Sequence, residues 1–109
     1  MKKYYLIILS CLFSCSYDTI SECEVDSPSF ETCIAPIIEN NCVACHSYGG
    51  SSSSLYLNGY DDVINAIDNY GLLSRIHADD GTVMPPSGKL STSDLDIIQR
   101  WFNAGKENN

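Results

Sequence analysis

Cys42-Val43-Ala44-Cys45-His46 has two cysteines separated by two residues, with a histidine directly after the second cysteine. This spacing is typical of covalent c-type haem attachment, because two thiols so placed can add to the two vinyl groups of one porphyrin. The following histidine then lies beneath the iron, where a neutral imidazole can serve as the proximal axial ligand. We therefore predict one covalent haem c, attached at Cys42 and Cys45 and ligated by His46.

Other kinds of site also use a Cys-x-x-Cys pair. A thioredoxin-type dithiol is expected within alternating strands and helices, and no segment here has a convincing strand pattern. A four-ligand zinc site needs a second pair of ligands, for which only His77 and scattered cysteines remain. A copper or zinc module stays open as a further alternative, because its four ligands would form a soft set. Those ligands would be Cys42, Cys45, His46 and Met84.

The N-terminal residues have the pattern of a bacterial lipoprotein signal. Two lysines precede an apolar run over residues 4–13, which is too short to span a bilayer but suits a secretory signal. Cleavage before Cys15 would remove residues 1–14 and leave that cysteine to carry the lipid. Cleavage before Cys11, or a signal without lipid, is the alternative. We expect a cell-envelope protein, lipid-anchored to a membrane on the periplasmic side or the outer surface.

The number of cysteines favours cleavage before Cys15. Of the 6 cysteines, Cys11 would be removed, Cys15 would be acylated and two others would hold the haem. Cys23 and Cys33 then remain as an even pair in an oxidising compartment, where disulfides form and persist. We predict a Cys23–Cys33 disulfide, with two free thiols in a flexible segment as the alternative.

The charge of the chain argues against nucleic acid as a partner. The chain has 6 basic and 14 acidic residues, and loss of residues 1–14 removes two lysines and no acid, which leaves 4 against 14 and a net charge of −10. Nucleic-acid-binding proteins are expected to carry a basic stripe instead. The acidic excess indicates solubility, or docking to basic or neutral patches on a redox partner protein.

The sequence divides into a signal, a tether and one domain. Residues 1–14 form the signal peptide. Residues 15–28 are the lipidated cysteine and a flexible polar tether, which reaches at most about 45 Å when fully extended. Residues 29–109 form a single domain, because the remaining length leaves room for only one.

Hydrophobic periodicity predicts four helices in this domain. They cover residues 30–41, 60–68, 72–77 and 92–103. Ser29 and Ser91 are the expected N-caps of the first and last helices, and Gly105 is the expected stop of the last. Pro36 lies inside the first helix, so it either kinks that helix or marks its true start.

Met84 is the candidate for the second axial ligand. It lies 38 residues after His46, in an irregular segment between two predicted helices. A thioether suits haem iron and raises the reduction potential relative to bis-histidine ligation. The prolines Pro85 and Pro86 stiffen this segment and remove two backbone donors. The alternatives are a methionine that only fills the core, and His77 as the ligand.

Together these motifs resemble the class I cytochrome c family. The chain is most similar to the short single-haem cytochrome c-like domains of bacterial envelope proteins, over roughly residues 29–106. The resemblance is carried by the haem motif, by Met84-Pro85-Pro86 and by the terminal helix Ile97-Ile98-Gln99-Arg100-Trp101-Phe102-Asn103-Ala104-Gly105. It implies an all-α cytochrome c fold, with about four short helices packed around one covalent haem and the terminal helices crossing.

The resemblance also implies roles for single residues. Cys42 and Cys45 would form the thioethers, His46 would be the proximal ligand and Met84 the distal ligand. Trp101 would pack near the helix crossing.

Two further points concern the surroundings of the haem. Arg75 is a candidate partner for a haem propionate. Many members of the family have a proline whose carbonyl orients the proximal imidazole, but no proline lies between His46 and Pro85. The second ring nitrogen of His46 still needs an acceptor, which we expect in the backbone of residues 48–57.

One-electron transfer follows from the resemblance, with electrons passing to redox partner proteins through an exposed haem edge. The alternative is a haem enzyme or sensor with an open or displaceable sixth position, for which Arg75 and His77 are the nearby basic candidates. Domains this small are marginal without a staple, so we expect the haem-free chain to be largely unfolded or a loose helical ensemble.

Overall fold

The protein is described here from a computed structural model that covers residues 22–52, 54–79 and 81–109. These ranges contain four α-helices, α1 (Ala35–Asn41), α2 (Tyr60–Tyr70), α3 (Leu72–His77) and α4 (Thr92–Asn103), and a π-helical segment, Phe30–Ile34, that leads into α1. They contain no strand, so the expected all-α class is confirmed. The predicted signal peptide, Cys11 and the predicted lipid attachment at Cys15 lie outside the described residues.

The start of the first helix is π-helical because of a proline. Pro36 has no N–H to donate to the carbonyl four residues earlier, and its ring would clash with that carbonyl. The preceding turn is wider: Ile34 N–H donates to Ser29 O at 3.3 Å, and Ala35 N–H donates to Phe30 O. Pro36 is thus the second residue of α1, so it marks the true start of the α-helix. Ser29 caps the π-helical segment, as predicted, by accepting from Thr32 N–H.

The other helices agree closely with the periodicity. Helix α2 runs two residues beyond its predicted end and stops where Gly71 takes a left-handed conformation with φ 66°. Helices α3 and α4 have the predicted bounds, and the Ser91 hydroxyl caps α4 by accepting from Asp94 N–H at 3.1 Å. No helix among the described residues is long and apolar enough to cross a membrane.

Helix α4 ends in a Schellman motif. Lys106 N–H donates to Trp101 O at 3.0 Å, and Gly105 N–H donates to Phe102 O at 3.2 Å. Gly105 has φ 112°, which L side chains rarely adopt. This turn confirms the predicted stop and leads the last residues back across the domain.

An aromatic cluster joins the first and last helical segments. The Phe30 ring lies 5.1 Å from that of Tyr60, edge-on, and 5.6 Å from that of Trp101. Trp101 is 1% exposed, and its indole N–H donates to Glu107 O at 3.0 Å. The Tyr60 hydroxyl donates to Lys106 O at 2.7 Å. Trp101 therefore lies where α4 packs against the π-helical segment.

Cys23 and Cys33 are joined by a disulfide, with their Cα atoms 5.4 Å apart. The segment that follows Cys23 contacts the rest of the domain at two further points: Pro28 is buried, and Arg100 Nη1 donates to Val25 O at 3.2 Å. The predicted tether extended to residue 28. Because Cys23, Val25 and Pro28 contact the domain, residues 23–28 are not a free tether.

Removal of this disulfide is expected to destabilise the protein. Closure of so short a loop contributes about 3 kcal/mol in the chain-entropy picture. A Cys23→Ser/Cys33→Ser variant of the haem-loaded protein should therefore lose about that much free energy of unfolding in a urea titration. An unchanged unfolding midpoint would show that the bond adds no stability.

Candidate haem site

The predicted haem motif, Cys42 to His46, forms a tight turn at the end of α1. Cys42 is the C-cap residue of this helix, and its N–H donates to Ile38 O at 2.8 Å. The Cys42 carbonyl in turn accepts from Cys45 N–H at 3.2 Å and from His46 N–H at 2.9 Å. These bonds fix the backbone at both cysteines and at His46 relative to one another. Both cysteines are free thiols; Cys45 is exposed and Cys42 is partly buried.

The loop that follows folds back onto this turn. Ser52 N–H donates to Cys45 O at 2.9 Å, and Leu57 N–H donates to His46 O at 2.8 Å. Leu57 is buried in the core, so the returning end of the loop is anchored. The haem motif is thus held from both sides, by α1 before it and by Leu57 after it.

The imidazole of His46 is oriented by the same loop. Its Nδ1 lies 3.1 Å from the carbonyl oxygen of Leu55. A carbonyl can only accept, so Nδ1 carries the hydrogen and Nε2 keeps its lone pair in the neutral ring. This arrangement leaves Nε2 as the atom that can bind iron, with a second partner that fixes the tautomer. The expected acceptor within residues 48–57 is therefore the Leu55 carbonyl.

Gly50 permits the close return of the loop. A Cβ at this position would overlap the carbonyl oxygen of Cys45 and lie 2.9 Å from its carbonyl carbon. Real Cβ atoms do not approach backbone atoms so closely, so the loop would have to move away from the haem motif. The sequence marks Gly50 as a loop residue, but its role depends on a contact made only after folding.

Substitution of Gly50 by alanine should therefore impair haem attachment. Leu55 belongs to this loop. Movement of the loop away from Cys45 would therefore also lengthen the hydrogen bond between His46 Nδ1 and the Leu55 carbonyl. We expect Gly50→Ala to give a lower yield of covalent haem per protein than wild type, measured by pyridine haemochrome absorbance.

Gly59→Ala is the matched control. Gly59 has extended backbone, with φ −176°, and an added Cβ would meet nothing within 4 Å. Equal haem yields in the two variants would contradict the steric role of Gly50.

The predicted haem residues line one cleft. Cys42, Cys45, His46 and Met84 all contribute to a cavity of about 820 Å³. Cofactor and small-molecule sites commonly have about 300–1,000 Å³. Apolar side chains supply much of the remaining wall, namely Leu55, Leu57, Leu72 and Ile76. Arg75 is the one charged side chain among the described residues of the lining.

Met84 reaches this cleft from the segment between α3 and α4. It is partly buried, its N–H donates to Arg75 O at 3.1 Å, and its bond to Pro85 is cis. The rival ligand His77 does not line the cleft. The Nε2 atom of His77 is buried and has no hydrogen-bond partner within residues 22–52, 54–79 and 81–109. The fold thus brings Met84 to the cleft with His46, and it leaves His77 outside.

The thiol chemistry bears on the alternatives. Burial raises the pKa of Cys42 to about 11, so this side chain is a neutral thiol at pH 7. Redox dithiols rely on the opposite, a thiol whose pKa is lowered so that the reactive thiolate forms. Across the described part of the chain, no three side chains of His, Cys, Asp or Glu gather closely enough to hold a metal ion. The raised pKa of Cys42 does not favour the redox dithiol.

The residues of the cleft fit a haem by their chemistry. Two thiols are available for thioether bonds, an imidazole keeps one nitrogen free for iron, and a thioether sulfur lines the same apolar cavity. Sequence reasoning placed the acceptor for His46 within residues 48–57 without identifying Leu55, and it missed the contacts of Arg75 with the segment that carries Met84. A backbone acceptor has no signature in a sequence, and the contacts of Arg75 arise only when α3 and this segment meet.

Comparison of the chain with family models, with curated proteins and with solved structures finds no match. The resemblance to class I cytochromes c therefore rests on the sequence motifs alone.

Proposed function

We propose that the protein is a single-haem electron carrier with a class I cytochrome c fold, ligated by His46 and Met84. One observation carries the proposal: both haem-attachment cysteines, an imidazole with a free Nε2 and a methionine line the same apolar cleft. These are the side chains that covalent attachment and two-sided iron ligation require. The resemblance to class I cytochromes c implies that the terminal helices cross, and the contact between Phe30 and Trp101 supports this part of the proposal.

Each residue has a distinct task in this proposal. When bound, haem supplies one-electron chemistry between the ferric and ferrous states. Cys42 and Cys45 hold the group covalently, and the Leu55 carbonyl keeps the His46 ring in the required tautomer. His46 and Met84 remain ligands in both oxidation states, so no position opens for a substrate. The apolar wall keeps water away, while the serine-rich loop at the rim exposes one side to solvent.

The setting of the protein is part of the same proposal. Cys15 would carry a lipid anchor at the cell envelope, on the periplasmic side or the outer surface. The residues between Cys15 and Cys23 would then link the domain to the membrane. Redox partner proteins would receive or deliver electrons at the exposed haem edge, through a small transient interface.

Absorption spectra of the protein test this function. The full chain should be exported in a host with c-haem maturation, purified, and measured in its oxidised and reduced states before and after acid-acetone extraction. We expect haem that resists extraction, low-spin bands and a far-red sulfur-to-iron band. Absence of retained haem would contradict the proposal and favour the copper or zinc module.

A haem enzyme or sensor is the second candidate, because Arg75 brings a positive charge into the cleft. Such a protein would have an open or easily displaced sixth position. It would show covalent haem without the far-red band, and it would turn over peroxide. An electron carrier should show the band and negligible turnover.

A further inference from the structure

We propose that Arg75 is the positioning residue of Met84, which it holds at the cleft through one backbone contact and one side-chain contact. The Arg75 carbonyl accepts from Met84 N–H, and the Arg75 guanidinium donates to the hydroxyl of Thr82. This inference rests on the proposed function, because it concerns how firmly Met84 is presented as an iron ligand.

The backbone contact uses an open carbonyl at the end of α3. The last carbonyls of a helix lack partners within it. Because Ala78 takes a left-handed conformation with φ 59°, α3 stops and the Arg75 carbonyl becomes accessible. It accepts from Ala78 N–H at 3.2 Å and from Met84 N–H at 3.1 Å.

This contact is well placed to anchor the ligand. Pro85 and Pro86 follow Met84, and neither has an N–H. The amide of Met84 is therefore the last backbone donor before the two prolines. Its bond to α3 fixes the ligand residue itself.

The side-chain contact holds the segment at a second point. Arg75 Nη1 lies 2.9 Å from Thr82 Oγ1, two residues before Met84. A guanidinium is a planar group with fixed donor directions, so it restrains its acceptor more closely than an ammonium does. Arg75 is exposed but also lines the cleft. One residue of α3 thus restrains positions 82 and 84 together.

A restraint on Met84 should be measurable as resistance to displacement. A thioether is a neutral ligand, and an added imidazole competes with it for ferric iron. If the Arg75–Thr82 bond is lost, the segment has one restraint fewer and more often samples positions in which the sulfur is away from the iron. The loss of one hydrogen bond to a charged donor corresponds to roughly a tenfold change in such an equilibrium.

Two substitutions at Thr82 isolate the hydroxyl. Thr82→Val removes the acceptor with little change in shape or charge, and Thr82→Ser retains it. Ferric protein is titrated with imidazole while loss of the far-red sulfur-to-iron band is followed. We expect Thr82→Val to bind imidazole roughly tenfold more tightly than wild type, and Thr82→Ser to stay close to wild type.

A second pair of variants tests whether loss of any positive charge has the same effect as loss of Arg75. Arg75→Gln removes a positive charge together with the bond to Thr82. Lys89→Gln removes a positive charge from an exposed residue of the same inter-helix segment that does not line the cleft. Imidazole affinity should rise for Arg75→Gln and stay at the wild-type value for Lys89→Gln.

The outcomes distinguish the positioning role of Arg75 from the proposed electron-carrier function. A far-red band in all variants with equal imidazole affinities would overturn the role of Arg75 and leave the electron carrier intact. Equal rises in the valine and serine variants, or in the Arg75 and Lys89 variants, would also overturn it. A wild-type protein without covalent haem or without the far-red band would overturn both proposals.

Discussion

A Cys42→Ala/Cys45→Ala variant is expected to lose all haem on acid-acetone extraction, and with it most of its helical fold. Both thiols line the cleft of about 820 Å³, so no other covalent attachment is available there. Without the porphyrin, the leucines and isoleucine of the wall face a cavity that their own side chains do not fill. Burial of apolar surface stabilises a fold by roughly 25 cal/mol per Å². A domain this small cannot offset the loss of that stabilisation when the porphyrin is absent.

Circular dichroism and haem absorbance measured on the same samples test this expectation. The matched control is Cys23→Ser/Cys33→Ser, which removes two cysteines that form a disulfide outside the cleft. That control should keep covalent haem and remain folded, although less stable. A double alanine variant that remains helical and cooperatively folded would contradict the role of the haem as core. If the double alanine variant retained haem through the extraction, attachment at Cys42 and Cys45 would be contradicted.

Substitution of Met84 by alanine is expected to remove the far-red sulfur-to-iron band and to lower the reduction potential. A thioether favours the ferrous state, so its loss shifts the equilibrium towards ferric iron. The shift should exceed about 59 mV, which corresponds to a tenfold change in a one-electron equilibrium. The vacated position should also bind imidazole or cyanide readily. Potentiometric titration and absorption spectra measure both effects.

His77→Ala is the control for the Met84 substitution. The sequence offers His77 as the alternative to Met84 for the second axial ligand of the iron, but His77 does not line the cleft. Its alanine variant should keep the band and a potential near that of wild type. A wild-type protein that lacks the band, together with loss of the low-spin spectrum in His77→Ala and its survival in Met84→Ala, would assign the distal ligand to His77.

The helices were predictable because their signals are local. Caps, apolar spacing and stop residues act within a few positions, so Ser91 and Gly105 gave the bounds of α4 directly. The first helix was predicted less well. The same proline that suggested a kink changes the hydrogen-bond pattern of the turn before it, and periodicity does not distinguish a π-helical turn from an α-helical one.

The contribution of residues 23–28 was not predictable from composition. They are polar and look like linker, yet Pro28 is buried and the segment is bound to α4 through Val25. A polar composition describes the side chains of a segment, whereas this attachment uses a disulfide, a proline and a backbone carbonyl.

The sequence by itself determined the all-α class, the helix positions and the candidate ligand residues, since each depends on neighbours in the chain. Only the tertiary structure decided that the Leu55 carbonyl orients His46, that Gly50 packs beneath Cys45, and that Met84 rather than His77 lines the cleft. These contacts join residues that loops bring together. The energies of these contacts depend on distances in three dimensions, and those distances cannot be read from the spacing of residues along the chain.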